Sequence, residues 1–128
     1  MIKTITALSL LAASAICYAD SPCPTDFSCQ VDSNGHAQCS QLPSGWSALT
    51  GQASSTGIIN GSNAALNQVT WNNGALVCHY QDSATYTIID LQGSTQLRPD
   101  TSDNYGWYWT NSSKTTAQCL AKAACVIS

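Results

Sequence analysis

The chain has 128 residues and a formal net charge of −3, and only 9% of its side chains are charged. A length of this order supports one modest core and not two. So few cations leave neither a basic footprint for nucleic acid nor a polybasic membrane patch. All seven acidic residues are Asp, and Ser, Thr, Asn and Gln far outnumber the charged side chains. Such a surface is hydrated through neutral hydrogen bonding.

Residues 1–19 read as a removable export signal. Lys3 supplies the positive start, and residues 5–16 form an apolar run too short to span a bilayer. Cys17-Tyr18-Ala19 places small residues at the −3 and −1 positions, which predicts cleavage after Ala19, with Ala13-Ser14-Ala15 as the weaker site. Lipid attachment at Cys17 is disfavoured by the branched Ile16 before it. The organisation expected is a signal over 1–19 and a single secreted β domain over 20–128. Losing Lys3 takes the charge from −3 to −4. No later stretch approaches the roughly twenty apolar residues of a membrane span, so a soluble protein of the periplasm or the extracellular space is expected, without membrane insertion.

Six cysteines remain after cleavage: Cys23, Cys29, Cys39, Cys78, Cys119 and Cys125. An even number in a small exported chain predicts three disulfides, with fifteen connectivities open on spacing alone. Zinc would need close Cys or Cys/His pairs, and neither His36 nor His79 stands at ligand spacing from a second ligand. No metal and no cofactor is expected.

In chain order, the first hairpin sets residues 27–31 against 36–40 around Ser33-Asn34-Gly35, with Gly35 at the left-handed position of a three-residue loop. That register places Cys29 opposite Cys39, within disulfide reach. Residues 52–63, rich in Ser, Gly and Asn, read as a long surface loop. A second hairpin spans 66–81 and turns at Asn73-Gly74. It sets Asn72 against Ala75, Trp71 against Leu76, Val69 against Cys78 and Asn67 against Tyr80. Trp71, Val69, Leu76, Cys78 and Tyr80 then share an apolar face, opposite Thr70, Gln68, Val77 and His79. After a turn at Asp82-Ser83 a strand is expected over 84–91.

Residues 105–110 form a third strong strand, with Tyr105, Trp107 and Trp109 on one side and Tyr108 on the other. The last segment, 119–125, reads as one helical turn before a closing strand at Val126-Ile127. Cys23–Cys78 would tie the N-terminal arm to the central strand, and Cys119–Cys125 would close the terminal loop.

No constellation for catalysis stands out. No Ser sits in a Gly-x-Ser-x-Gly elbow, and a carboxylate pair would have to be two Asp, most of which serve turns. The polar loop 100–104 lacks the acidic end of a calcium-binding EF loop. Asn60-Gly61-Ser62 and Asn111-Ser112-Ser113 match the N-glycosylation pattern and carry no weight without a eukaryotic source. The suggestive feature is Trp46, Trp107, Tyr108 and Trp109 among abundant amides, the composition of a sugar-binding surface. The competing assignment makes the large rings core, since each buries about 150–250 Å².

The export signal, Cys23-Pro24, Trp46 and the hairpin ending Cys78-His79-Tyr80 resemble a family of small secreted, mainly bacterial proteins known as a domain of unknown function. The resemblance implies a compact exported β domain and supplies no catalytic residues. The Cys29/Cys39 and Cys119/Cys125 pairs would be additions to that pattern.

These readings converge on an all-β domain, a small antiparallel sandwich or barrel of six to eight strands stapled by disulfides. The function expected is a secreted, non-catalytic binding or interaction module with a glycan or protein as extracellular ligand, through Trp46, Trp107, Tyr108 or Trp109. The alternatives are a small secreted hydrolase or enzyme inhibitor with unidentified site residues, or a structural surface protein.

Overall fold

The structure is a computed structural model that describes residues 22–102, 105–120 and 124–128. The export segment, Asp103 and Asn104 of the polar loop, and 121–123 of the expected helical turn lie outside the described residues. Among the described residues there are nine strands and no helix: β1 (Ser28–Val31), β2 (Ala37–Gln41), β3 (Ser47–Gln52), β4 (Gly57–Asn60), β5 (Ala65–Asn72), β6 (Ala75–Asp82), β7 (Thr87–Ser94), β8 (Trp107–Trp109) and β9 (Thr116–Leu120). They build two antiparallel sheets, a small one in the order β2-β1-β4 and a large one in the order β3-β7-β6-β5-β9-β8. The fold is the disulfide-stapled all-β sandwich that the sequence predicts, with more strands than expected.

Turn chemistry fixes the hairpins. Asn73 and Gly74 adopt φ of 51° and 101°, the positive pair a two-residue hairpin turn requires. Across it Asn72, Trp71 and Val69 face Ala75, Leu76 and Cys78. At the far end the expected register fails: a bulge sets Leu66, not Asn67, opposite Tyr80. Asn67 is freed to donate from its amide to Gln81 Oε1 at 2.9 Å. In the first hairpin Gly35 has φ 88°, the Asp32 N–H donates to the His36 carbonyl, and Cys29 stands opposite Cys39.

Three expectations give way. Residues 52–63 are not one loop, because Gly57–Asn60 pairs with β1 along its whole length and buries Ile59 completely. The strand expected from residue 84 begins at Thr87. The buried Asp82 carboxylate accepts from the Ala84 N–H and the Thr85 hydroxyl, which prolongs the turn to Tyr86, at φ 56°. Cys119 and Leu120 end a strand rather than start a helical turn.

The inner face of the large sheet is built in transverse ranks. One reads Gly93, Leu76, Trp71, Ala117, Trp109 across β7, β6, β5, β9 and β8. The next reads Leu91, Cys78, Val69, Cys119, Trp107. Small residues stand where large rings need room: the Trp46 indole lies over Gly93, where an added Cβ would come within 2.7 Å of it. The small sheet covers the β3/β7/β6 half, with Gly51 of β3 close against Val31 and Gly57 of β4 close against Thr87. The C-terminal chain covers the β5/β9/β8 half, held by the Pro99–Ile127 bridge and by paired hydrogen bonds between Arg98 and Ser128. There the Arg98 guanidinium sits 5.4 Å from the Trp71 ring and 5.5 Å from the Trp109 ring, a cation–π clamp.

Three disulfides staple these parts: Cys23–Cys78, Cys29–Cys39 and Cys119–Cys125. The first locks the N-terminal arm onto β6. It acts with the Tyr80 hydroxyl, which donates to the Pro24 carbonyl at 2.6 Å, and with the tilted Phe27–Tyr80 ring pair.

Candidate functional site

A sandwich buries one face of each sheet and leaves the other open. On the large sheet the open face carries, strand by strand, the residues between the core positions. One outer rank runs Ser47, Gln92, Val77, Thr70, Gln118 and Tyr108 across all six strands. Beside it runs a shorter rank of Asp90, His79, Gln68 and Leu120. Every one of these side chains is half-buried or exposed, and among the described residues no strand lies over them.

Chemically the face is amide and hydroxyl with apolar points. Among the described residues, Ser47, Gln92, Thr70 and Gln68 have no side-chain hydrogen-bond partner. The Tyr108 hydroxyl donates to Gln118 Oε1, which sets the phenol across the rank and leaves the Gln118 amide N–H groups outward. Tyr108 is 45% and Leu120 59% exposed, the apolar points near the β8 edge.

His79 Nδ1 and Asp90 Oδ1 lie 2.8 Å apart. An ionised carboxylate only accepts, so the proton of this contact sits on Nδ1. Nε2 is shut away from solvent and has no hydrogen-bond partner among the described residues, so no hydroxyl nucleophile is held there. His36 is different: its side chain is 80% exposed, and its backbone N–H donates to the Asp32 carboxylate at 2.9 Å. That bond, with a second from the Asn34 N–H, lowers the Asp32 pKa below the ordinary carboxylate value. Asp100 is lowered likewise by its hydrogen bonds with Ser102. Both are turn carboxylates. Burial pushes the Tyr80 phenol well above its usual range, which keeps it a neutral donor inside the core.

The small sheet carries depressions of its own. A depression of about 390 Å³ is lined by Gln30, Asp32, His36, Gln38 and Thr56, and one of about 290 Å³ adjoins it across Gln30 and Gln38. One of its polar groups, the Asp32 carboxylate, is already engaged in its own turn. Among the described residues no group of three His, Cys, Asp or Glu side chains could hold a metal ion.

The aromatic residues singled out from sequence separate. Trp107 is buried at 5% exposure, so it is core and no platform. Trp109 packs edge-on against Trp71 beneath Arg98, and Trp46 rests on Gly93; both are half-buried against the core. Of the four, only Tyr108 stands on the open outer face. The sequence already grouped Thr70 and Gln68 with Val77 and His79 on the polar face of one hairpin, but missed Gln92 and Gln118, which lie far from it along the chain. Strand order alone makes them neighbours. No family model, no curated protein and no solved structure matches this chain, so the site rests on its geometry.

Proposed function

We propose that this chain is an exported, non-catalytic binding module that presents the open face of its large sheet to an extracellular ligand. The observation that carries this reading is the six-strand rank from Ser47 to Tyr108, uncovered and largely unspent on internal hydrogen bonds. The three disulfides support an oxidising compartment. Among the described residues no helix is long and apolar enough to cross a membrane. His79 offers no base to a substrate, since its Nε2 is shut away from solvent.

The test is capture of ligands by the purified chain from a glycan array and from its native medium. Tyr108→Ala with Gln118→Ala should abolish capture while leaving the thermal transition within a few degrees of wild type. Capture that survives this pair and is lost with Gln30→Ala and Gln38→Ala would move the site to the small sheet and end this reading.

A further inference from the structure

Resting on that reading of the face, we infer that its ligand is a neutral polysaccharide in an extended, β-linked conformation, laid across the strands with about one sugar per strand. The charge pattern comes first. Apart from the Tyr108 phenol, Asp90 and His79 are the titratable side chains of the two outer ranks, and each is hydrogen-bonded to the other. The whole chain carries −3. Among the described residues of the two ranks a polyanion finds no cation, and a polycation finds no carboxylate outside the His79 contact. A ligand that offers hydroxyl groups and no charge suits such ranks.

The spacing comes second. Neighbouring strands lie about 4.8 Å apart, so the outer rank repeats at that interval from β3 to β8. A pyranose in an extended β-1,4 chain advances by nearly the same length. Each sugar therefore meets one new side chain. Ser47, Gln92, Thr70 and Gln118 each offer a donor or acceptor not engaged by any described residue. Val77 in mid-rank, with Tyr108 and Leu120 near the edge, offers apolar surface for the C–H faces of the rings. A helical α-glucan does not stay in register with such a rank, and a lone monosaccharide uses one step of it.

The inference is tested by isothermal titration of the intact chain with cello-oligosaccharides and chito-oligosaccharides of increasing length. Amylose and polygalacturonate serve as the α-linked and anionic comparisons. Affinity should rise with each sugar until the ligand matches the six-strand rank and then level off. Gln92→Ala, Thr70→Val and Gln118→Ala should each weaken binding about two- to tenfold, the worth of one hydrogen bond, with circular dichroism unchanged. Gln30→Ala on the small sheet should leave affinity unaltered. Equal affinity for amylose, preference for polygalacturonate, or affinity independent of length would overturn the inference. If no saccharide binds but the rank variants abolish capture of a protein, the polysaccharide assignment fails and the face remains the site. Saccharide binding that no rank variant weakens defeats both.

Discussion

Tyr80 joins the arm to the core with a single hydroxyl, and that hydroxyl has one buried acceptor, the Pro24 carbonyl. Tyr80→Phe keeps the ring on Phe27 and strands the carbonyl, so we expect a loss of about 1–3 kcal/mol in urea unfolding. Asp32 gives a pH-dependent counterpart. Its folded pKa is depressed by the His36 and Asn34 N–H groups, so the turn gains stability from ionisation above the ordinary Asp value near 3.9. That gain disappears as pH falls through the lowered folded value. Amide exchange at Asn34 and His36 should accelerate, relative to the core, as pH falls from about 4 through the lowered folded value. In Asp32→Asn, whose side-chain oxygen accepts without titrating, that acid-dependent increment should be absent. An equal increment in both proteins would detach it from Asp32.

Among the strands, β8 poses the sharpest choice, because its three residues turn two tryptophans inward and one tyrosine outward. Trp107→Ala should cost about 3–5 kcal/mol as a large core truncation, whereas Tyr108→Ala should stay within about 1 kcal/mol. Comparable urea midpoints for the two would refute the orientation of the strand. This alternation was legible in the sequence because each step exchanges one large ring for another. The two long hairpins were legible for a related reason: Asn-Gly or Asn-rich turns and apolar alternation pointed to the same register. Strand β4 was not, since Gly57 and Asn60 bracket it with turn residues and only Ile59 marks its inner side. Strand β9 was hidden likewise, because its inner positions are Ala117 and Cys119, neither of which announces a core face. The rank of amides was illegible for a different reason. Gln92, Thr70 and Gln118 are ordinary surface residues on separate strands, and only the order β7-β6-β5-β9 assembles them. Large rings drew attention instead, and packing claims most of those.

Taken whole, the molecule is an asymmetric sandwich, with three strands and the C-terminal chain together covering the inner face of six strands. The longest staple is Cys23–Cys78, which ties the N-terminal arm to β6 and closes 55 residues of chain. In the chain-entropy treatment that loop contributes on the order of 4 kcal/mol, against roughly 2 for the six-residue separation of Cys119–Cys125. Removing the first pair as alanines should therefore lower the urea midpoint more than removing the second; the reverse order would contradict the chain-entropy ranking. With both layers pinned on one side, the other side of the large sheet is left open among the described residues. Whether an extended neutral glycan occupies it is read most directly by backbone NMR of the labelled chain titrated with cellohexaose and chitohexaose. At least one of them should shift the amides of Gln92, Val77, Thr70, Gln118 and Tyr108 together, along a line crossing the strands, and leave Gln30, Gln38 and Ile58 unmoved. Shifts clustered on the small sheet, or none on the rank with either sugar, would contradict it.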